Sequence, residues 1–293
     1  MKILIIGGDG MLGHQLLSSL QHKHDVRVTL RQDLAAYQQY GLFHAENSYA
    51  GIDVRRAEDL IPVMADFNPQ AVINAGGVVK QRQAAKEVIP SLEINALFPH
   101  RLALLCKMVG ARMIQFSTDC IFSGKQGQYT ENDPSDAEDI YGKSKYLGEV
   151  HEPHCLTLRA PFIGLELSRN TALVEWFLAQ RGKIKGFTRA IYSGLTTIEL
   201  SRVVEKILLE FPDLTGLWHI SSAAINKYEL LRIFSQLLER DDVQIEADDH
   251  FSCDRSLASQ RFIAATGYKA PSWPDMLSEL TTQIKKRDRI LCY

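Results

Sequence analysis

The chain has 293 residues, 45% of them hydrophobic, with a formal net charge of −2 and a pI near 6.5. A chain of this length can bury a large core, which excludes a small scaffold held together by disulfides or metal ions. The balanced charge gives no broad basic surface, so we expect no nucleic-acid partner and a small metabolite as the ligand.

The cysteines and the apolar segments indicate the cellular compartment of the protein. The five cysteines form no CxxC motif and no Cys/His cluster with metal-ligand spacing, which predicts free thiols in a reducing compartment and no metal site. The first apolar run, Ile3–Ile6, is too short for a signal peptide, and no segment approaches the ~20 apolar residues that span a bilayer. We therefore expect a cytoplasmic protein with no membrane partner.

Apolar runs of strand length alternate with amphipathic stretches in the first half of the chain. Continuous apolar strands separated by helices predict a parallel sheet covered on both faces, and hence a doubly wound α/β Rossmann architecture. The predicted strands are Lys2–Ile6, Val26–Leu30, Ala71–Asn74, Met113–Ser117 and Leu156–Arg159.

After about Arg159 the regular alternation of apolar strands and amphipathic stretches ends. No flexible linker separates the two parts. We expect a dinucleotide-binding Rossmann domain over residues 1–160 and a smaller, mainly substrate-binding part over 161–293, with chain exchange between them. The predicted elements are helices at Thr171–Arg181, Ile198–Glu210 and Lys227–Arg240, a mixed segment over Lys183–Leu195, and an irregular tail from about Asp254 containing Pro271 and Pro274.

A glycine-rich turn follows the first strand. Gly7, Gly10 and Gly13 have a three-residue spacing, and a helix is predicted to begin at Met11 and Leu12. A dinucleotide pyrophosphate needs backbone N–H donors at a helix N-terminus and no Cβ in the way, which glycines permit. Such a triplet also fits a simple tight turn, but its place between an apolar strand and a helix favours dinucleotide binding.

The end of the second strand bears on the choice of cofactor. An acidic side chain there would bind the ribose 2′-hydroxyl of NAD, whereas a cation can pair with the 2′-phosphate of NADP. The strand is followed by Arg31, which favours NADPH, with NADH as the alternative. A solvated surface arginine would look the same, and Asp33 lies close by.

Two further segments are candidates for the adenosine and ribose part of the cofactor. Asp53 follows a short apolar element, and it either accepts a hydrogen bond from the adenine amino group or caps a helix that starts near Arg56. The third strand ends in Ala75, Gly76 and Gly77, whose small size lets the backbone approach a ligand. An ordinary turn would have the same composition.

Tyr141 and Lys145, four residues apart, share one face of a predicted helix. A phenol with a pKa near ~10 is a poor acid or base at neutral pH, but a neighbouring cation stabilises the phenolate and lowers that pKa. Such a pair also arises by chance. Three features favour catalysis: the hydroxyls of the strand end Ser117–Asp119, the long loop over Ser123–Ile140, and the upstream glycine turn, which supplies a cofactor for the pair to act on.

Three segments together resemble the extended short-chain dehydrogenase/reductases: the GxxGxxG turn, the strand-end sequence Ser117–Gly124, and Tyr141–Lys145. Within that superfamily the chain looks most like the dTDP-4-dehydrorhamnose reductases, and the likeness continues through Phe187–Thr197 and Arg255–Leu277. The resemblance implies a reductase of a nucleotide-activated 4-keto-6-deoxy sugar, in deoxysugar or cell-surface polysaccharide biosynthesis.

The resemblance also assigns roles to individual positions. Thr118 would orient the keto oxygen, Tyr141 would donate the proton, and Lys145 would bind the nicotinamide ribose and lower the phenol pKa. Asn95 would support the active site. With the residue-level candidates included, the predicted cofactor-binding residues are Gly7, Gly10, Met11, Leu12, Arg31, Asp53, Ala75, Gly76, Gly77, Tyr141 and Lys145. The predicted substrate-binding residues are Lys80, Thr118, Phe122, Tyr141, Arg189 and Arg255.

Two departures from the family pattern leave the sugar open. Cys120 stands where the family commonly has an aromatic residue, and Val78–Gln81 places Lys80 near the expected substrate pocket. Arg189 and Arg255 are candidate diphosphate ligands, because a guanidinium matches phosphate geometry, or members of structural ion pairs. The alternative functions are a sugar-nucleotide epimerase or epimerase-reductase, and a non-catalytic dinucleotide-sensing subunit. The oligomeric state is also open, with a homodimer as an alternative to a monomer.

Overall fold

A seven-stranded parallel sheet forms the centre of the computed structural model, which describes residues 1–78, 87–168 and 171–291. Its strands are β1 (Lys2–Ile6), β2 (Asp25–Thr29), β3 (Ser48–Tyr49), β4 (Ala71–Asn74), β5 (Arg112–Ser117), β6 (Cys155–Arg159) and, much later in the chain, β10 (Gly216–His219). Their order is β3-β2-β1-β4-β5-β6-β10, and every neighbouring pair is parallel. The predicted doubly wound α/β architecture is confirmed.

Helices cover both faces of this sheet. They are α1 (Met11–Leu20), α2 (Leu60–Phe67), α3 (Val88–Ser91), α4 (Phe98–Val109), α5 (Ile140–Leu147), α6 (Leu173–Ala179), α7 (Thr197–Glu210), α8 (Lys227–Leu237), α9 (Gln260–Thr266) and α10 (Trp273–Leu291). The buried side chains of α1 and α7 share one core on one face, and those of α2 and α4 form a second core on the other.

The first strand shows how the sequence produces these two cores. Ile3 and Ile5 belong to one core, Leu4 and Ile6 belong to the other, and all four side chains are fully buried. A strand turns successive side chains to opposite faces, so an uninterrupted apolar run contributes to both. The same strand lies at the topological switch point of the sheet. From β1 the chain adds β2 and β3 on one side, and it then crosses to the other side to add β4, β5, β6 and β10. Ligands of such sheets bind at the carboxyl ends of the strands at this point.

The second half of the chain adds two small sheets. β8 (Gly182–Tyr192) lies between the antiparallel β11 (Ile225–Asn226) and the parallel β12 (Val243–Asp254). β7 (Phe162–Ile163) pairs with β9 (Leu195–Thr196). The predicted division of the chain near residue 160 stays a prediction.

The tail differs from its prediction. Beyond Asp254 the chain forms the helices α9 and α10, the second of 19 residues, where an irregular segment was expected. Pro274 lies in the first turn of α10, where a missing N–H breaks no helical hydrogen bond, and Pro271 precedes the helix. The prolines therefore mark the start of a helix. Neither β10 nor β12 is among the predicted strands.

The other element predictions agree with the structure to within a few residues. The five predicted strands are present, the segment Lys183–Leu195 is mostly the strand β8, and the predicted helices after Arg159 correspond to α6, α7 and α8. The four cysteines in the described part of the chain are free thiols, as expected. None of the helices described combines the length and apolar character that crossing a bilayer requires.

Candidate active site

A cleft of about 630 Å³ opens at the switch point of the large sheet, a volume suited to a small-molecule ligand. Tyr141 and Lys145 lie between its two ends, and every residue predicted to bind the cofactor lines it. The glycine end is formed by Gly7, Asp9–Leu12, Arg31, Ile52–Arg55 and Asn74–Val78. The Arg255 end is formed by Thr118–Cys120, Phe162, Ala190–Tyr192, Lys227, Cys253 and Arg255.

Glycines bring backbone segments into contact at the glycine end. Gly7 has a φ of +81°, and a Cβ there would lie 2.8 Å from the Gly76 Cα; a Cβ at Gly13 would lie 2.0 Å from the Gly7 carbonyl oxygen. The Gly7 N–H donates to the Thr29 hydroxyl at 3.1 Å, which ties the turn to β2. The N-cap residue of α1, Gly10, offers no side chain to the first N–H groups of the helix. Those donors and the space above them fit a dinucleotide pyrophosphate.

Asn95 connects the end of β4 to the helix that carries Tyr141. It is buried in a π-helical turn over Leu92–Leu97, a geometry that is frequent at functional sites. Its amide accepts from the Val78 N–H at 2.9 Å and donates to the Val78 carbonyl oxygen at 3.1 Å and to the Ser144 hydroxyl at 3.3 Å. Asn95 therefore links Val78, just after β4, to Ser144 of α5, and its supporting role stays a prediction.

Two charged residues of the glycine end, Asp53 and Arg55, pair with each other. Both Asp53 carboxylate oxygens accept from the Arg55 guanidinium, which is the main reason that the pKa of Asp53 is lowered to about 2. Asp53 is not a helix cap, because the nearest helical turn is Ala57–Asp59 and its N-cap residue is Arg56. The alternative of Asp53 as an N-cap is therefore wrong. Arg31 is exposed and lines the cleft.

The helix α5 presents the predicted catalytic pair. The Asp139 carboxylate caps it by accepting from the Gly142 N–H at 2.7 Å, which satisfies one of the free donors of the first turn. A Cβ at Gly142 would lie 2.3 Å from the Cys120 carbonyl oxygen, so only glycine lets α5 approach the chain after β5 so closely. The helix therefore places Tyr141 and Lys145 beside the end of that strand.

Burial dominates the protonation of this pair. It raises the pKa of the Tyr141 phenol above its usual value, and the Thr118 hydroxyl opposes this shift by hydrogen bonding. It lowers the pKa of the Lys145 ammonium to about 8, an effect that the Glu149 carboxylate partly offsets. The Lys145 Nζ donates to the Phe116 carbonyl oxygen at 2.6 Å. Desolvation is thus the largest effect on the phenol, and the role of Lys145 in lowering its pKa stays a prediction.

The Arg255 end contains residues that carry no sequence signal. Lys227 begins α8 and Tyr192 ends β8, and both line the cleft although they lie far from the Tyr/Lys motif in sequence. The Tyr192 hydroxyl is buried without a hydrogen-bond partner in the described structure. Arg255 donates to the Phe122 carbonyl oxygen at 2.7 Å and approaches the Cys120 sulfur at 3.8 Å. Arg255 was predicted, but Lys227 was not, and Tyr192 was not singled out within Phe187–Thr197, since only the fold brings these two residues to the cleft.

Two of the described residues that were predicted to bind the substrate, Phe122 and Arg189, do not line the cleft. Phe122 is fully buried, with its ring stacked on Tyr129 at 4.1 Å between centroids, so it supports the strand end from behind. Arg189 is exposed and does not line the cleft, whereas the next three residues of β8, Ala190–Tyr192, do. Lys80 lies outside the described residues.

A buried ion pair lies behind the Thr118 strand end. The Arg159 guanidinium donates to both oxygens of Glu149 at 2.8 Å, and both side chains are at most 3% exposed. Ser117 donates to Glu149 at 2.7 Å. Burial and Arg159 lower the pKa of His219 to about 3, so its neutral ring accepts from Arg159 at 3.1 Å and donates to the Tyr129 carbonyl oxygen at 3.0 Å. This network joins β5, β6 and β10 to the loop before α5.

One group of possible metal ligands occurs in the described structure outside the cleft. Asp248, Asp249 and His250 place one ligand atom each within 4.8 Å of one another. Asp248 already pairs with Lys185 at 2.9 Å, and the other two residues are exposed. The group takes no part in the site described above.

The fold and the site define the class of the protein. A glycine cradle at the switch point and a helical Tyr/Lys pair beside a strand-end hydroxyl are the features of a nicotinamide-dinucleotide-dependent oxidoreductase of the extended short-chain dehydrogenase/reductase type. The chain belongs to the RmlD substrate binding domain family, whose model matches residues 1–283.

Individual relatives agree with this assignment. The chain is 25% identical over 292 residues to the spore coat polysaccharide biosynthesis protein SpsK of Bacillus subtilis, covering 95% of this chain and 96% of that protein. It is 32% identical over 151 residues to a dTDP-4-dehydrorhamnose reductase of Burkholderia thailandensis, a match that spans 51% of this chain and 45% of the relative. A crystal structure of a Bacillus anthracis dTDP-4-dehydrorhamnose reductase in complex with NADP shares the fold, with a TM-score of 0.77, 21% identity and coverage of 96% and 99%.

Proposed function

We propose that the protein reduces the C4 carbonyl of a nucleotide-activated 4-keto-6-deoxy sugar, with NADPH preferred and NADH as the alternative. The observation that carries the proposal is that Thr118, Tyr141 and Lys145 line the same cleft as the glycine end described above. Family membership supports the reductase class. The similarity to SpsK supports a place in polysaccharide biosynthesis.

The residues of the cleft have distinct parts in this reaction. A reduced nicotinamide supplies the hydride when it is bound. Tyr141 protonates the developing alkoxide, and Thr118 positions the carbonyl oxygen beside the phenol. Lys145, held by the Phe116 carbonyl oxygen at 2.6 Å, binds the nicotinamide ribose and places a positive charge near the phenol.

The Arg255 end supplies cations for the diphosphate of the substrate. Arg255 and Lys227 both line it, and both cations favour the ionised form of the intervening Asp119. A guanidinium and an ammonium suit the two phosphate groups of a sugar nucleotide. The nucleotide base and the sugar are therefore expected on opposite sides of Arg255.

The cofactor preference rests on Arg31. It is exposed at the glycine end, close enough to Asp53 to contribute to the low pKa of that carboxyl. An exposed guanidinium there is free to pair with a 2′-phosphate, which NADH lacks. The binding role of Asp53 itself is a hydrogen bond to the adenine amino group.

The decisive experiment mixes the purified protein with NADPH or NADH and a panel of dTDP-, UDP- and GDP-linked 4-keto-6-deoxy sugars, and follows absorbance of the reduced nicotinamide. We expect stoichiometric oxidation with at least one member of the panel, faster with NADPH. Cofactor binding without oxidation of any member would contradict the proposed substrate class. Absence of both binding and oxidation would favour the non-catalytic alternative.

One observation favours a second candidate, an epimerase-reductase. The Cys120 thiol lines the cleft beside the Arg255 guanidinium, where a thiolate could remove a proton from the carbon next to the keto group and a second acid could return it to the other face. Turnover in D₂O separates the two functions. An epimerase-reductase incorporates deuterium at that carbon and loses this incorporation in Cys120→Ser, whereas a simple reductase incorporates none there.

A further inference from the structure

A large aromatic side chain lies exposed in the cleft. Phe251 of β12 lines the cleft, and its side chain is 49% exposed. Single exposed apolar side chains are common on protein surfaces, so the exposure alone does not indicate a function. Two features of β12, its pairing with β8 and its position relative to Arg255, indicate that this ring faces a ligand.

The pairing of β12 with β8 is irregular at this ring. Between its pairs with β8 at Asp248 and Ser252, β12 has the three residues 249–251, whereas β8 has only Thr188. Extra residues of this kind bend a strand and change the direction of its side chains, and they are frequent beside active sites. Phe251 is the last residue of this irregular segment, directly before the regular pairing resumes.

Contacts hold the irregular segment in one conformation. The buried Asp248 carboxylate accepts from the His250 N–H at 2.9 Å and pairs with the Lys185 ammonium at 2.9 Å. The Phe187 ring packs against Phe251, with 5.2 Å between the ring centroids and 56° between the ring planes. Phe251 is therefore preorganised, which reduces the entropy lost when a ligand packs on it.

Phe251 also shares one side of β12 with the cation proposed to bind the diphosphate. Phe251, Cys253 and Arg255 line the cleft, whereas the intervening Ser252 and Asp254 do not. Alternate residues of a strand point the same way, and a rise of about 3.3 Å per residue separates Phe251 from Arg255 by about 13 Å along the chain. The ring and the guanidinium are thus neighbouring parts of one surface.

The reacting groups lie on the other side of Arg255. The Arg255 guanidinium approaches the Cys120 sulfur at 3.8 Å, and Cys120 follows Thr118 directly after β5. The order along the cleft is therefore the reacting centre, the cation and the exposed aromatic ring. A sugar nucleotide has the matching order of sugar, diphosphate and nucleoside.

We propose that the Phe251 ring stacks on the nucleobase of the substrate, and that the irregular segment 249–251 positions the ring for this contact. The proposal rests on the proposed function, which places a sugar nucleotide in the cleft. Every base has an aromatic face, so stacking on Phe251 contributes affinity for the nucleoside without choosing between bases. The adenine of the cofactor does not compete for this position, because the residues proposed to bind it form the opposite end of the cleft.

The first test measures binding without reaction. The protein is saturated with NADPH, which fills the glycine end, and dTDP, UDP and GDP are each titrated into it by calorimetry. Phe251→Ala should weaken the nucleoside diphosphate that binds the wild type best about tenfold, within the range for losing one stacked base. Phe251→Leu, which keeps an apolar side chain without an aromatic face, should also weaken it. The control is Tyr146→Ala, because Tyr146 is 45% exposed and does not line the cleft.

The second test is spectroscopic and uses Phe251→Trp with NADP⁺ as the bound cofactor. The indole keeps an aromatic face, so the affinity for the nucleoside diphosphate should be retained, and a base stacked on the indole should quench its fluorescence. The chain has three native tryptophans, so the same titration of the wild type gives the background signal. A purely structural role for residue 251 would leave the added emission unchanged.

The third test is kinetic, with the sugar nucleotide found for the wild type. Phe251→Ala should raise KM about tenfold and leave kcat unchanged, because the base makes the same contact in the ground state and in the transition state. A fall in kcat with an unchanged KM would contradict a role in binding the base.

The outcomes separate this proposal from the proposed function. Unchanged affinity for the nucleoside diphosphate in Phe251→Ala overturns the stacking role even if the enzyme is a ketoreductase, and so does an absence of such binding in the wild type. Equal weakening of inorganic pyrophosphate also overturns it, because that ligand has no base. If no sugar is reduced, the proposed reaction fails, and weaker nucleoside diphosphate binding in Phe251→Ala still supports the stacking role.

Discussion

The two ends of the cleft are built in different ways. At the glycine end, one turn of seven residues and the ends of adjacent parallel strands supply the contacts, and the critical atoms are backbone. At the Arg255 end, the contacts come from β5, β8, α8 and β12, and the critical atoms belong to side chains that are distant in sequence. The buried Glu149–Arg159 pair lies behind the junction of the two ends.

This difference in construction explains which amino-acid substitutions each end of the cleft can tolerate. A backbone cradle closed by glycines binds a group that is common to many ligands, and almost any added side chain disturbs it. Side chains on separate loops and strands can be exchanged one at a time, so specificity can change there while the fold is kept.

The largest loss of stability is expected on breaking the buried Glu149–Arg159 ion pair, which lies behind the junction of the two ends. Glu149→Ala leaves the Arg159 guanidinium buried without its partner, which costs about 3–5 kcal/mol of the free energy of unfolding. Urea unfolding measures this loss. The matched control is Glu246→Ala, because its ion pair with Lys183 is exposed and contributes at most about 1 kcal/mol. Equal losses in the two variants would show that the buried pair does not hold the two ends together.

The next effect belongs to the reacting centre between the ends. Tyr141→Phe removes the proton donor and should lower kcat by about 10²-fold or more, with cofactor affinity unchanged. Steady-state kinetics and quenching of protein fluorescence by NADPH measure the two quantities. Tyr146→Phe, an exposed tyrosine on the same helix, is the control and should keep full activity. Activity retained in Tyr141→Phe would remove this tyrosine from the mechanism.

A smaller effect is expected at the glycine end. Gly7→Ala and Gly41→Ala both place a side chain at positive φ, but only the Cβ at residue 7 meets backbone, at 2.8 Å from the Gly76 Cα. Crowding of this kind costs about 1–3 kcal/mol, so NADPH affinity should fall about tenfold in Gly7→Ala and remain unchanged in Gly41→Ala. Isothermal titration calorimetry checks both values. Unchanged affinity in Gly7→Ala would place the pyrophosphate elsewhere.

The smallest effect concerns the choice between cofactors. Arg31→Ala should weaken NADPH binding about fivefold and leave NADH binding unchanged, because an exposed charge pair is worth about 1 kcal/mol at most. Its control is Arg56→Ala, whose guanidinium pairs with Asp59 outside the cleft. If Arg31→Ala weakens both cofactors equally, Arg31 does not recognise the 2′-phosphate.

Much of this protein could be predicted from its sequence because the signals are local. An apolar run such as Ile3–Ile6 specifies a strand that is buried on both faces, and a glycine spacing or a Tyr/Lys spacing specifies a geometry within one or two turns of backbone. The glycine turn, the α5 pair and the strand ends were therefore found at the correct positions.

At the Arg255 end the sequence identified Thr118 and Arg255, but the other side chains depended on tertiary structure, because they have no fixed spacing along the chain. Lys227 and Tyr192 line the cleft because the fold brings α8 and the end of β8 to it, while Phe122 is buried in the core and Arg189 is exposed outside the cleft. Burial, which depends on the tertiary structure, also shifts the protonation of the pair, since desolvation raises the pKa of Tyr141 and lowers that of Lys145. Sequence alone therefore determined the architecture and the position of Tyr141 and Lys145 on one helix, and packing determined which residues surround them.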